Sequence, residues 1–434
     1  MKRHSIWSDE GNHDHCNQIL CAAANNDEIF KKFYDKTFPT GWNLIHYAAY
    51  TNNCSAIESI VKSEKKIDLN LKTTRNNFNA GFEVTPLHIA SGQGHSKTVE
   101  ILHNHGANLN EINNEGETSL HYAVKQGKAD VVRILIEKGI CLNTADKYGD
   151  TALHNAVEKG YVEIVEILVN KGISLNATDK YGRTALQCAV EGGYNDIAKM
   201  LIENGMKSET ADKFGRIALY YAAKQGFADI VRMLIEKGIP LDTTDKSGQT
   251  ALHLAVKRSD ADIAKILVNK GISLNAADEF GQTALHYAVE KGNVEIAKML
   301  IAKGVHLDTA DKYGETALNL AIVKGNTDIA KILINKGILL DTADEHGRTA
   351  LHCAVKKGYA DIAKVLIKKG ISLDSADKNG QTALHYAAER GYVDIAKMLI
   401  KKGIPLETAD KYGQTALHLA VEKGYSGIEK ILTI

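Results

Sequence analysis

The stretch DKYGDTALH, Asp146 to His154, sets a carboxylate, an aromatic ring, a glycine, a hydroxyl and an imidazole side by side. That vocabulary would suit a reactive site if it occurred once. It recurs: DKYG stands again at Asp179, Asp311 and Asp410, and TALH at Thr250, Thr283, Thr349, Thr382 and Thr415. A phrase written so often builds a scaffold.

Outward from this stretch the beat is regular. Asp146, Asp179, Asp212, Asp245, Asp278, Asp311, Asp344, Asp377 and Asp410 follow one another at 33 residues. Three glycine series keep the same interval: a turn series from Gly116 to Gly413, a mid-repeat series led by Gly94, and an end-of-repeat series from Gly106 to Gly403. Residues 85–434 therefore read as eleven repeats without net insertion or deletion.

One period, 146–178, shows how the letters make structure. Asp146 and Gly149 suit a tight turn, the first by side-chain-to-backbone bonding and the second by tolerating positive φ. Thr151 is placed to cap a first helix, and Leu153, Ala156 and Val157 fall on one of its faces. Gly160 ends that helix in a left-handed conformation. A second helix opens near Glu163 and closes near Lys171, charges that suit its two ends, with Ile164, Val165, Ile167 and Leu168 as its apolar side. Helices this short do not persist alone. Alanine-rich first helices let neighbours stack closely, so the core forms between repeats and stability is a sum over neighbours.

The period, with TPLHIA at Thr85 to Ala90, TALHLA at Thr250 to Ala255 and the DKYG turns, resembles the ankyrin-repeat family. The resemblance covers most of the chain. It implies an all-α repeat solenoid of helix–turn–helix units with short β-hairpin connections, elongated and curved, binding protein along its concave face and hairpin tips. About twelve repeats are expected. The first, in residues 40–84, is degenerate (GWNLIHYAAY, Gly41 to Tyr50) and is followed by an insertion of about nine residues near 63–84. Residues 16–39 are expected to form N-terminal capping helices, and residues 1–15 a disordered tail.

Composition narrows the class of function. The 53 basic and 53 acidic side chains cancel, so no overall field favours nucleic acid or an anionic membrane. No apolar run approaches membrane-spanning length, and the start, MKRHSIWSDEGNHDH, lacks the apolar core of a secretory signal. Six cysteines, at 16, 21, 54, 141, 188 and 353, keep no framework spacing, as free thiols of a cytoplasmic protein would.

Histidines 46, 88, 121, 154, 253, 286, 352, 385 and 418 occupy one repeat position. Spaced one per repeat they are too far apart to share a metal. The family resemblance implies instead that they hydrogen-bond backbone near the hairpin and bridge adjacent repeats. HDHC (His13 to Cys16), with His4 and Cys21, matches no closed zinc spacing and reads as a histidine-rich tail. Asp130/Arg133, Glu295/Lys298 and Asp361/Lys364 are ordinary helix-surface pairs. No nucleophile elbow, phosphate loop or HExxH motif appears, so the reading is non-enzymatic, with no catalytic residue, metal or cofactor.

Function is then expected where repeats differ. The hairpin tip reads Tyr148, Tyr181, Phe214, Ser247, Phe280, Tyr313, His346, Asn379 and Tyr412. Aromatics on rigid exposed loops serve as partner anchors; alternatively each ring lies against its neighbour's tip and stiffens the row. The residue after the turn glycine includes Arg183 and Arg216, and the late first-helix positions include Lys224, Lys257 and Arg258. These eleven positions, the six aromatics and five bases, are the candidate partner-binding residues.

Departures from the pattern gather in 187–260. Gln187 and Tyr220 stand where the histidine belongs, Ile217 replaces the capping threonine, Gly192 precedes Gly193, and Ser259 replaces the stop glycine. Loss of a cap costs about 1 kcal/mol, so this segment reads as the softest of the array: a bend, a contact region or drift. YAVKQGKADVVRILIEKGI (Tyr122 to Ile140) returns as YAAKQGFADIVRMLIEKGI (Tyr221 to Ile239), which points to duplication of a three-repeat block. VEKGYSGIEKILTI carries no polar replacement for its outer face, and one reading is end-to-end self-association through this C-terminal repeat. The expected function is a protein-interaction scaffold binding one or more proteins. Its Lys-, Asn- and Ile-rich style is similar to ankyrin effectors of intracellular bacteria and protists, which implies action on a host protein in host cytoplasm after secretion. A targeting module for an enzyme supplied separately stays open as the alternative.

Overall fold

The computed structural model describes residues 41–62, 68–74, 83–205 and 214–433, with 214–217 described by backbone alone. The expected tail, the capping helices of 16–39, the HDHC cluster and part of the insertion lie outside the described residues. Those described form 24 helices, arranged as successive short pairs, with antiparallel single-residue bridges between them. The chain divides into two compact units, Met1–Ala218 and Leu219–Ile434.

The period 146–178 builds as its letters require. Asp146 Oδ1 accepts the backbone N–H groups of Tyr148 and Asp150 at 2.8 and 3.0 Å, closing the turn. Gly149 has φ +77°, and a Cβ there would stand 2.9 Å from the Lys180 nitrogen of the next turn. Both the left-handed backbone and the close approach demand glycine. The hairpin is minimal: one bridge joins Ala145 to Thr151. Helix Ala152–Glu158 then starts directly after Thr151, and helix Val162–Asn170 runs after the left-handed Gly160.

The cap is unusual in chemistry. His154 takes the place of the glutamate or glutamine of a capping box, its Nδ1 facing the Thr151 backbone nitrogen at 3.3 Å and the hydroxyl at 2.9 Å. Because the backbone N–H donates to Nδ1, Nε2 carries the proton. Nε2 donates to the carbonyl of Arg183, in the next repeat, at 3.1 Å. The same bond joins His88 to Glu117, His121 to Asp150, His253 to Gln282, His286 to Glu315, His352 to Gln381 and His385 to Gln414. His46 reaches the carbonyls of Leu71 and Val84, so the described part of the insertion still meets its histidine.

The core lies between helix pairs. Leu153, Ala156 and Val157 of the first helix and Val165 and Leu168 of the second are fully buried. Burying a leucine or isoleucine contributes about 2 kcal/mol, and each repeat repeats the set, for example Leu285, Ala288, Val289, Ala297 and Leu300.

Two departures change local structure. With Ile217 where threonine caps the others, the helix is not halted at that point and runs over Phe214–Gln225. Phe214 and Arg216 are therefore helical in backbone, not a hairpin tip and its flank as the sequence pattern indicated. Ser259 keeps the left-handed conformation of the glycine it replaces, at φ +60°. Gln187 keeps the capping half of the histidine's work, accepting the Thr184 N–H at 2.9 Å, but its buried Nε2 has no hydrogen-bond partner among the described residues. Tyr220 donates its hydroxyl to Asp245 at 3.0 Å. Asn319 is a further replacement of the histidine, outside 187–260; its side-chain amide reaches the Thr342 carbonyl at 3.4 Å.

Candidate protein-binding surface

Within each unit the turns form a row, neighbouring turns bonding to one another. Lys180 N–H donates to the Tyr148 carbonyl at 2.7 Å, Lys312 to Phe280 and Lys411 to Asn379 at 2.9 Å, and Glu345 to Tyr313 at 2.8 Å. On this row the expected aromatics stand in solvent: Tyr148, Tyr181, Phe280, Tyr313 and Tyr412 are 39%, 72%, 44%, 49% and 73% exposed. Cations of the turns accompany three of them. Lys180 Nζ lies 4.2 Å from the Tyr148 ring centre and 5.0 Å from that of Tyr181, and Lys411 lies 5.0 Å from Tyr412. The lysine laid across Tyr148 ties two tips together. Tyr181 and Tyr412 present more open surface.

The basic candidates are mostly engaged within the fold. Arg183 turns back on its own turn, with Nη2 2.7 Å from Asp179 and Nη1 3.1 Å from Glu191. Lys257 Nζ lies 4.3 Å from the Tyr287 ring centre. Arg258 packs over Gly226, where a Cβ would come within 3.0 Å of its guanidinium. Lys224 is exposed and stands 5.8 Å from the Tyr221 ring centre. The side chains of Phe214 and Arg216 lie outside the described residues.

Between the turns of two repeats in the first unit lies a cavity of about 630 Å³. Tyr148, Tyr181 and Arg183 of the sequence-derived set meet there. With them stand Asp150, Glu158, Asp179, Lys180, Cys188, Glu191 and Tyr194, none of them among the eleven candidates that the sequence singles out. Asp150 follows the turn glycine Gly149, the position that Arg183 holds one repeat on. Tyr194 donates its hydroxyl to the Glu158 carbonyl at 3.2 Å, fixing one wall. Burial holds the Asp150 carboxyl above its usual range, reinforced by the negative charges of Asp146, Asp179 and Glu158. Burial also pushes the Cys188 thiol up to about 12, so it stays protonated and is no nucleophile at neutral pH.

The repeat-bridging histidines have no free ring nitrogen. Burial lowers His46 and His88 to about 4 and lowers His121, His253, His286 and His352 as well, while both ring nitrogens of each repeat-bridging histidine are hydrogen-bonded. Among the described residues no three His, Cys, Asp or Glu side chains are placed to hold a metal ion, and no helix is long and apolar enough to cross a membrane.

The sequence model of the family described as ankyrin repeats (3 copies) matches residues 69–146, 141–212, 207–278, 273–344, 306–377 and 370–433. The chain belongs to the ankyrin-repeat family. Among solved structures, the ankyrin repeat domain of Bcl-3, described as a unique member of the IkappaB protein family, is similar at 27% identity. The match covers 49% of this chain and 96% of that one, with a TM-score of 0.45. No curated protein matches the chain. Ankyrin repeats are generally protein–protein interaction modules and typically non-catalytic scaffolds. In this ankyrin array the turn tips and the residues after the turn glycines vary from repeat to repeat.

Proposed function

We propose that the protein binds a partner protein through its aromatic turn row and the inner face beside it. One observation carries this reading: large rings stand exposed on turns that, within each unit, are joined to their neighbours by backbone hydrogen bonds. A rigid aromatic loses little entropy on contact, so such tips suit the anchoring role. Arg183, Lys224 and Arg258 border that surface. The near-identical, Lys-, Asn- and Ile-rich repeats support a cytoplasmic effector reading, in which the partner is a host protein. Self-association through the C-terminal repeat belongs to the same reading; sedimentation velocity that shows only monomer up to high concentration rules it out.

Affinity capture with the full chain tests the surface. Tyr148→Ala, Tyr181→Ala, Phe280→Ala, Tyr313→Ala and Tyr412→Ala together should abolish specific capture while thermal stability stays close to that of the parent. Unchanged capture with a lowered melting temperature would mean that the rings only stiffen the row.

A further inference from the structure

We propose that the cavity between the turns of Tyr148 and Tyr181 receives a lysine or arginine side chain from a basic segment of the partner protein. The proposal rests on the surface reading above and adds the chemistry of the bound residue.

The starting observation is a charge imbalance inside a preformed space. The cavity, about 630 Å³, is of the size that takes a small ligand or a long side chain. Its walls carry four carboxylates, Asp150, Glu158, Asp179 and Glu191, against two bases, Lys180 and Arg183. The bases are already committed. Arg183 bridges Asp179 and Glu191, and Lys180 lies across Tyr148. Asp150 and Glu158 are left with no ion pair and no side-chain hydrogen bond among the described residues.

The repeat pattern shows what is missing. After the turn glycine, Arg183 and Arg348 each return to the turn aspartate at 2.8 and 2.7 Å. At 150 the same position supplies a carboxylate; Asp146 is met instead by Lys125 of the preceding repeat at 3.7 Å, and Asp150 itself has no cation among the described residues. Glu315 is the only other acid in that position along the DKYG turns, and it feels both Arg348 and Lys324. Asp150 has no arginine or lysine of this kind: its charged neighbours are Asp146, Asp179 and Glu158, offset only by the internally bonded His154.

The walls choose the kind of cation. The carboxylates do not converge as a metal site. Tyr148, Tyr181 and Tyr194 line the same space, and aromatic faces accept an alkyl stem or a guanidinium plane. A basic side chain matches both features at once: its stem lies along the rings and its head meets Asp150 and Glu158. Charge of this kind selects a partner and speeds encounter more than it adds raw affinity.

The test uses the full chain and two fluorescein-labelled, end-blocked Gly/Ser peptides, one carrying several arginines and the other citrulline, the neutral isostere, at the same places. Anisotropy at low and physiological salt reads binding. The arginine peptide should saturate, with the citrulline peptide weaker by about tenfold or more. Asp150→Asn with Glu158→Gln should weaken the arginine peptide to the same degree, while Glu315→Gln leaves it unchanged. Glu158 is exposed, and Asp150→Asn relieves repulsion, so the double variant retains its fold. Equal binding of the two peptides, an unaffected double variant, or no saturable binding by the arginine peptide overturns the proposal. If it falls while capture still depends on Tyr148 and Tyr181, the surface reading stands; if capture ignores the tips, that reading falls instead.

Discussion

A neutral imidazole joins each typical repeat to the next, and this makes stability sensitive to acid. His88 sits fully buried, Nδ1 accepting from Thr85 and Nε2 donating to the Glu117 carbonyl. Burial lowers it to about 4, against the backbone bond and charge of Glu117 and assisted by Lys72 and His121. The unfolded chain therefore binds protons between about pH 6.5 and 4 that the folded chain refuses, and stability falls as pH drops through that window. The salt-bridged Asp179 and Asp344 are held below the ordinary carboxylate range despite burial, so their contribution is lost only at lower pH. Denaturant titrations from pH 7 to 4.5 should show this slope, and His88→Gln should flatten it while lowering stability at pH 7. Asp150 has the opposite sign. Its carboxyl is raised in the folded state, so its charge costs stability at neutral pH and the cost disappears as the group protonates. Asp150→Asn should raise stability at pH 7 by roughly 0.5 kcal/mol, the modest figure suited to a half-exposed group, and lose that gain below about pH 4. An acid retained against stability is consistent with a site kept for binding.

At the scale of the helix, starts and stops were legible wherever the repeat was regular. Thr250 and Thr382 cap as the TALH phrase implies, with the histidine completing the box. The stop is more instructive where it is wrong. Ser259 follows helix Ala251–Lys257 in a left-handed conformation that an L side chain resists. Ser259→Gly should stabilise the protein by about 1 kcal/mol, read as a higher denaturation midpoint with an unchanged slope. The helix starting at Phe214 was not legible. A missing cap tells the reader only that nothing halts the helix at Ala218; the backbone alone shows how far upstream it runs. Gln187 is similar: its ability to cap could be read from its type, but not the buried amide left without a carbonyl to meet.

Within each unit, helix pairs of neighbouring repeats pack on one another, so damage should stay local. Leu102 and Leu168 are both fully buried and lie two repeats apart within the first unit. Leu102→Ala and Leu168→Ala should each cost about 2–5 kcal/mol, and the double variant should show their sum to within about 0.5 kcal/mol. A large excess or shortfall in chemical denaturation would mean that stability is not the nearest-neighbour sum of a solenoid.

The sequence by itself determined the period, the turn glycines, the caps, the buried faces and the family, because each depends on residues that recur in fixed register. It also picked out the exposed aromatic tips, since a turn that must be Asp-x-x-Gly leaves its middle positions facing solvent. Only the tertiary structure decided which variable side chains are occupied. Arg183 folds onto Asp179 and Glu191, Lys257 lies over Tyr287, and Asp150 is left among acids around a cavity. Those outcomes depend on charges and rings brought together across adjoining repeats, and a repeat pattern fixes where a side chain sits without fixing what it meets there.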